Sequence, residues 1–178
     1  MSSLVKHTIR FILFILLQVF VLHQISPLHR FITPYLYYLF ILWLPFNIGR
    51  VPLMILALIY GLTLDYFLNT PGLHAAPCVL IAYVRPFLIN LLTRQEPGEQ
   101  NYASPSIVSM GWAPYFTYVF VLTFLHHGYL VFLEWMEFGN FWYFLGKVAA
   151  TTGISLLLIF ITELLFFRKE KFRTNTVF

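Results

Sequence analysis

Long apolar stretches, separated by short breaks that contain proline, glycine or charged residues, are the dominant pattern of the chain. A helix crosses a bilayer with about 20 mostly apolar residues, or somewhat fewer or more when it is tilted. The pattern therefore predicts an all-α, polytopic membrane bundle of about six transmembrane helices, of which the second is short and bounded by Pro34 and Pro45. Residues 1–178 are expected to form a single transmembrane domain with short N- and C-terminal tails. The six stretches run over residues 11–25, 35–46, 51–68, 73–92, 113–135 and 141–167.

The composition changes this picture little but removes the alternatives to it. Hydrophobic residues make up 60% of the 178 residues and charged residues only 10%, whereas an average soluble domain is about one quarter charged. A disordered chain is excluded because disorder needs low hydrophobicity and high charge. The formal net charge of +4 does not indicate a nucleic-acid partner, because the basic residues lie mostly at helix ends. The expected surroundings are a lipid bilayer.

Lysine and arginine collect on one side of the predicted helices. With six crossings and a cytoplasmic N-terminus, eight basic residues fall on the cytoplasmic side and only Arg30 falls outside. This bias follows the positive-inside rule and favours an even number of crossings, with both termini in the cytoplasm. The eight residues are Lys6, Arg10, Arg50, Arg94, Arg168, Lys169, Lys171 and Arg173.

Charged side chains at membrane depth are costly, so each is a functional hypothesis. Asp65, the only aspartate, and Lys147 are predicted at similar depths in the third and sixth helices. They are candidates for an ion pair or for the wall of a pocket. Alternatively, Asp65 accepts hydrogen bonds in the turn at Asn69 and Thr70, while the Lys147 side chain extends to the headgroups.

Arg85 lies deeper, about 18 Å of helical rise from the outer end of the fourth predicted helix. At this depth Asp65 is a poor partner, and Gln18 of the first helix is a better one. The alternative is that the Arg85 side chain reaches the cytoplasmic headgroups, as long cationic side chains near helix ends do.

The histidines favour a hydrogen-bonding role over catalysis or metal binding. His126 and His127 are adjacent, so on a helix their side chains point about 100° apart, which is poor for two ligands of one metal. His127 and Glu134 are seven residues apart and share a helix face. His74 follows the outer turn and is predicted to begin a helix.

The sixth predicted helix carries two different stripes. One is polar, and the other is made of small residues that let another backbone approach closely. A small-residue stripe marks a contact within the chain or with a partner helix. Near the inner interface, Glu163 lies off both stripes and is a candidate partner of Arg168. The polar stripe comprises Lys147, Thr151, Ser155 and Thr162, and the small-residue stripe comprises Gly146, Ala149, Ala150 and Gly153.

Enzyme activity is not expected, and neither a cofactor nor a metal is predicted. An intramembrane aspartyl protease needs two aspartates that share a proton, and Asp65 is the only one. The zinc-protease pattern of two histidines around a glutamate and the glycine-flanked serine of a nucleophile elbow are both absent. The lone Cys78 excludes an intramolecular disulfide and a thiolate metal site.

Residues 61–76, with the sequence GLTLDYFLNTPGLHAA, resemble the signature of the rod shape-determining protein MreD family. In that family a Gly-Leu-x-x-Asp motif closes one helix, and a Pro/Gly turn and a helix that starts with small residues follow. Further similarity to members from Bacteroidetes-type bacteria lies in Thr33-Pro34-Tyr35, Leu44-Pro45-Phe46-Asn47, Ala82-Tyr83-Val84-Arg85-Pro86, His126-His127 and the basic C-terminal tail. Within the motif, the matching candidate residues are Gly61, Asp65, Asn69, Pro71, Gly72 and His74.

The resemblance implies a non-enzymatic component of the bacterial inner membrane that takes part in cell elongation. Members of that family associate with the single-span protein MreC, and through it with the actin-like MreB and the cell-wall synthases. The helices of that family are similar in arrangement to those of the substrate-binding subunits of energy-coupling-factor vitamin transporters. A second hypothesis is therefore a transport subunit for a small molecule or lipid, with a pocket lined by Asp65, Lys147 and the polar stripe.

Overall fold

The computed structural model describes residues 3–25, 33–93, 104–134 and 140–165, and in these ranges the only regular secondary structure is helical. In the first helical stretch, α1, a π-helical turn over Gln18–Leu22 and α2 follow one another without a break. The helices are α1 (Ser3–Leu17), α2 (His23–Ile25), α3 (Leu39–Leu42), α4 (Arg50–Leu68), α5 (Ala75–Leu92), α6 (Ile107–Met110), α7 (Trp112–Glu134) and α8 (Phe141–Leu165).

Five helical stretches of the described chain are long and apolar enough to cross a membrane. This confirms the prediction of an all-α, polytopic membrane bundle. The five stretches are Val5–Ile25, Arg50–Leu68, Ala75–Leu92, Trp112–Glu134 and Phe141–Leu165.

The second predicted stretch, over residues 35–46, does not form a helix of spanning length. Only Leu39–Leu42 is α-helical, and the chain on either side consists of turns, bends and residues without regular secondary structure. Every residue from Pro34 to Leu44 is buried. Its apolar composition therefore reflects burial among the other helices and not contact with lipid, a distinction that periodicity alone does not make. Residues 33–49 are called the central segment below.

The central segment still carries the chain from one end of the bundle toward the other. The Gln18 side chain contacts its start, while Phe14 packs against Trp43 near its end. The segment therefore runs antiparallel to α1. Trp43 in turn donates a hydrogen bond to Glu163 at the end of α8. The beginning of α1 and the end of α8 thus lie at one end of the bundle, called the Glu163 end, and Asp65 lies at the opposite end.

A close helix contact joins α4 to α5 and is made possible by a glycine. A Cβ atom on Gly61 would lie 2.4 Å from the Cα and 2.9 Å from the backbone nitrogen of Ala75. Glycine at this position lets the beginning of α5 pack directly against the backbone of α4. The first residue of the Gly-Leu-x-x-Asp motif is therefore a packing residue of the α4–α5 hairpin.

We expect Gly61→Ala to destabilise the protein by about 1–3 kcal/mol, because the added methyl group overlaps backbone atoms and not a flexible side chain. Thermal unfolding of the purified protein in detergent measures this loss. The matched control is Gly153→Ala, whose Cβ would meet nothing within 4 Å. Its midpoint should stay the same or rise, since alanine favours a helix by about 1 kcal/mol over glycine. Equal midpoints for the two variants would contradict the contact.

Candidate functional site

Several polar side chains at membrane depth bind the backbone of the central segment. Backbone N–H and C=O groups that are not in a helix need partners from the protein where no water is present. At the start of the segment, the Gln18 side chain donates to the Pro34 carbonyl at 3.1 Å and accepts from the Leu36 N–H at 2.9 Å. The Tyr35 N–H donates to the Ser155 hydroxyl at 3.2 Å. These bonds join two helical elements, the π-helical turn and α8, to the segment.

Tyrosine and arginine side chains bind the middle and the end of the segment. The Tyr60 hydroxyl donates to the Tyr37 carbonyl at 2.9 Å. The Tyr118 hydroxyl donates to the Leu42 carbonyl, also at 2.9 Å. Together with Gln18 and Ser155, these groups bind five backbone groups of the segment, those of Pro34, Tyr35, Leu36, Tyr37 and Leu42.

Arg85 is buried, with 1% of its surface exposed, and binds three oxygen atoms. Its guanidinium donates to the carbonyls of Leu44 and Pro45, and its Nε donates to the Tyr118 hydroxyl at 2.9 Å. In the described part of the chain, no carboxylate forms an ion pair with it. The predicted pairing with Gln18 is wrong, and so is an extension to the headgroups. Both interpretations failed because carbonyl groups of the central segment need hydrogen-bond donors, and the Arg85 guanidinium supplies them.

The two adjacent histidines have separate hydrogen-bonding roles. His127 Nδ1 lies 2.7 Å from the Thr123 carbonyl, which can only accept, so His127 is protonated at Nδ1. Its Nε2 then accepts from the Ser155 hydroxyl at 3.1 Å. His126 Nε2 lies 2.8 Å from the Tyr37 hydroxyl. The prediction of buried hydrogen bonding is confirmed, and no group of three potential metal ligands occurs among the described residues.

Asp65 organises the turn between α4 and α5. Its Oδ1 accepts from the Thr70 hydroxyl at 3.0 Å, the His74 N–H at 2.9 Å and His74 Nδ1 at 2.8 Å, and its Oδ2 accepts from the Ala75 N–H at 3.0 Å. The predicted ion pair of Asp65 with Lys147 is wrong. The alternative, an aspartate bound in the turn, is confirmed. A carboxylate placed at the N-terminus of α5 satisfies its first N–H groups.

The remaining motif residues shape the same turn. Asn69 adopts a left-handed conformation with φ of 56°, which asparagine tolerates better than most residues, and Gly72 has φ of 81°. Pro71 lies between them. His74 is the N-cap residue of α5, as predicted. Gly61, Asp65, Asn69, Gly72 and His74 therefore each have an identifiable structural task in one hairpin.

Lys147 binds Glu134 across the α7–α8 pair. Seven residues earlier on α7, His127 binds Ser155, so the face shared by His127 and Glu134 is the face toward α8. The expectation that the Lys147 side chain extends to the headgroups is wrong, because the side chain forms this ion pair. The pocket predicted between Asp65 and Lys147 is not formed, because each binds a different partner.

Glu163 accepts hydrogen bonds from the Trp43 indole at 2.8 Å and from the Tyr115 hydroxyl. It thereby connects α8 to the central segment and to α7 at the Glu163 end. Its predicted partner, Arg168, lies outside the described residues.

The two stripes of α8 point in different directions. Thr151 and Ser155 of the polar stripe are buried, whereas Gly146, Ala149 and Gly153 of the small-residue stripe are exposed. A Cβ atom on Gly146 or Gly153 would meet no atom within 4 Å. The described bundle therefore does not use the small-residue stripe for its own packing.

Sequence reasoning missed the tyrosines, because it counted them among the hydrophobic residues. Tyr37, Tyr60 and Tyr118 are completely buried, and the hydroxyl of each has a hydrogen-bond partner. Buried tyrosine hydroxyls usually find such a partner. Tyrosines in the middle of an apolar stretch, and not at its ends, are the sequence signal from which a polar core could have been predicted.

No family model, curated protein or solved structure matches this chain. The resemblance to the rod shape-determining family accordingly rests on the residues quoted above.

We expect Tyr118→Phe to lower the free energy of unfolding by about 1–3 kcal/mol, because the Leu42 carbonyl and Arg85 Nε each lose a buried partner. Thermal or denaturant unfolding in detergent measures the change. Tyr129→Phe, on the same helix but exposed, is the matched control and should leave stability within about 0.5 kcal/mol. A Tyr118→Phe midpoint equal to that of the control would show that the hydroxyl contributes nothing.

Exchanged charges distinguish the two ion-pairing schemes. Lys147→Glu combined with Glu134→Lys should recover most of the stability lost in either single variant, about 0.2–1 kcal/mol for a partly exposed pair. Asp65→Lys combined with Lys147→Asp should recover nothing, because Asp65 binds the N–H groups of His74 and Ala75. Thermal midpoints of the four single and two double variants provide the comparison. Recovery of stability in the double variant Asp65→Lys, Lys147→Asp would instead support the ion pair predicted from the sequence.

Proposed function

We propose that this chain is a non-enzymatic component of the bacterial inner membrane, a member of the rod shape-determining MreD type, that binds the transmembrane helix of an MreC-like single-span protein. Through that partner it contacts an MreB-like actin homologue and the cell-wall synthases and supports peptidoglycan synthesis during elongation. Both termini are in the cytoplasm. The proposal rests on the family resemblance together with one structural observation, the exposed small-residue stripe of α8.

The stripe supports the binding of another helix. In lipid, helices gain little from burying apolar surface, so close backbone approach at small residues is a main source of affinity. Gly61 illustrates such a contact inside the chain, against Ala75. Gly146, Ala149 and Gly153 repeat the same residue types on an outward face that no described residue covers.

The use of the polar groups at depth also favours an interaction protein over a transport subunit. Gln18, Tyr60, Arg85 and Tyr118 bind the central segment, and Asp65 binds the turn at the start of α5. A binding pocket for a polar substrate needs convergent polar groups that face a cavity. Here these groups are engaged by the backbone of the chain itself.

We expect Gly153→Leu and Ala149→Leu to reduce co-purification of the MreC-like partner by about tenfold, the ratio that corresponds to roughly 1.4 kcal/mol. The protein is isolated from native membranes under mild detergent, and bound proteins are quantified by mass spectrometry. Cell width in a complemented deletion strain gives a second readout, and cells should round up as binding is lost.

Ala113→Leu is the matched control, because Ala113 is also exposed but lies on α7 outside the stripe. It should retain the partner, and all three variants should unfold at the wild-type midpoint. Recovery of transporter ATPases without an MreC-like protein would overturn the proposal in favour of a transport subunit. Undiminished partner recovery with both stripe variants would overturn the assignment of the binding face.

A further inference from the structure

Three histidines and three tyrosines form a buried aromatic cluster inside the bundle, away from the proposed partner face. The tyrosines belong to the start of the central segment, and the histidines come from the turn before α5 and from α7. Each of these residues is at most 5% exposed. The histidine cluster, as it is called below, consists of Tyr35, Tyr37, Tyr38, His74, His126 and His127.

The rings of the cluster pack the central segment against α7. The Tyr38 ring stacks on His126 with the ring centroids 4.4 Å apart, and Tyr37 meets the same imidazole edge-on at 5.3 Å. The His127 ring lies 5.7 Å from Tyr35 and 5.3 Å from Tyr38. The two imidazoles of α7 are themselves 5.1 Å apart. The start of the central segment is therefore held in place by two adjacent histidines of one helix.

Hydrogen bonding leaves one nitrogen of His126 without a partner. Its Nε2 lies 2.8 Å from the Tyr37 hydroxyl, whereas its Nδ1 is buried and has no hydrogen-bond partner in the part of the chain that the structure describes. A protonated imidazole carries an N–H at both nitrogens. Protonation would therefore bury a charged N–H at Nδ1 with no acceptor, which is far more costly than one unmet group on a neutral ring.

His127 is bound at both nitrogens, in an arrangement that fits the neutral ring. Its Nδ1 donates to the Thr123 carbonyl, so the Nε2 of a neutral ring accepts from the Ser155 hydroxyl. That hydroxyl also accepts from the Tyr35 N–H. Protonation turns Nε2 into a donor, and Ser155 would then have to accept twice and direct its own proton elsewhere.

The charged groups of the adjoining elements do not compensate a proton on either α7 histidine. Among the described residues, the two ion pairs join Asp65 of α4 to His74 and Glu134 of α7 to Lys147 of α8. Arg85 of α5 binds the other end of the segment. A proton on an α7 imidazole is therefore an uncompensated buried charge. The other titratable side chains that face the cluster are neutral near pH 7, and they are Tyr60 of α4 and Cys78 of α5, together with the tyrosines of the cluster.

We infer that His126 and His127 form an acid-sensitive lock on the start of the central segment. The neutral imidazoles hold the segment against α7 and α8. When acid protonates them, two like charges 5.1 Å apart face an interior without a counter-charge, and this part of the segment separates from α7 so that the imidazoles reach water. His126 is eight residues, or roughly 12 Å of helical rise, from the described end of α7 at Glu134. Acid therefore acts from the end of the bundle opposite the Glu163 end.

The single cysteine of the chain, Cys78, reports the state of this lock. Its thiol is completely buried beside the Tyr37 hydroxyl, so it becomes accessible when the start of the segment moves away. The full-length protein in lipid nanodiscs is labelled with dithiodipyridine, which reacts with thiols in acid as well as at neutral pH. Each labelling rate is divided by that of glutathione in the same buffer. Far-UV circular dichroism is recorded in parallel and should stay helical.

We expect the normalised rate to rise as the pH falls from about 7.5 to about 5.5, on either side of the value near which histidine is ordinarily half protonated. One histidine that is neutral in the closed protein and charged in the open one raises the open fraction by about tenfold over this interval. Two such histidines give a rise of up to about a hundredfold.

Four variants assign the rise to the lock. His126→Gln and His127→Gln remove the titrating group and keep an amide that donates and accepts hydrogen bonds. Each single variant should reduce the rise by about tenfold, and the double variant should abolish it. The matched control His23→Gln, at an exposed position, should retain the full rise. His74→Asn should also retain it, because its amide still donates to Asp65.

Loss of the rise in the His126 and His127 variants, with retention in His23→Gln and His74→Asn, supports the lock. A wild-type rate that is the same at both pH values overturns it, as does a full rise in the folded double variant. The single variants keep the test decisive where the double variant does not fold. Loss of the rise in His74→Asn alone would assign it to the turn at Asp65, and loss of helix in acid would assign it to global unfolding. Either result overturns the inference without bearing on partner binding.

Discussion

The arrangement of this bundle depends on one constraint, which is that irregular backbone inside a membrane has to find its hydrogen-bond partners within the protein. The central segment exposes a series of carbonyl and N–H groups at a depth where water is absent. Side chains from five helical elements form hydrogen bonds with these groups: Gln18, Tyr60, Arg85, Tyr118 and Ser155. Because apolar helices have little reason to choose one neighbour over another in lipid, these bonds specify which helix lies where.

The same network accounts for the groups that are most costly to bury. The positively charged Arg85 side chain is buried in the interior, and it donates hydrogen bonds to the carbonyls of Leu44 and Pro45, whose dipoles stabilise the charge. Tyr118 has two roles, because its hydroxyl donates to Leu42 and accepts from Arg85. Groups that share partners in this way are coupled, so the effects of substitutions within the network are not additive.

Gln18, Tyr60, Arg85, Tyr118 and Ser155 are engaged by the backbone of the central segment, whereas the small-residue stripe of α8 lies on the outside. The small-residue stripe of α8 suits a close helix contact, because Gly146 and Gly153 carry no side chain and a Cβ atom at either position would meet nothing within 4 Å.

The sequence by itself determined the class of the protein and much of its layout. Twenty-residue apolar stretches can do little in water except aggregate, so composition and spacing sufficed for a polytopic helical bundle. The turn after Asp65 was also accessible, because asparagine, proline and glycine act locally through their own backbone preferences. His74 could be placed at a helix start for the same reason.

Only the tertiary structure decided what the deep polar residues bind. Hydropathy cannot separate residues 35–46, which are apolar because protein surrounds them, from a helix that is apolar because lipid surrounds it. Once that stretch is irregular, its carbonyls become the partners of Arg85 and Tyr118, and pairing by depth with Gln18 fails. The physical reason is that hydrogen bonds to a broken backbone are long-range in sequence, over 16 residues for Gln18 and 120 for Ser155, and no local pattern records them.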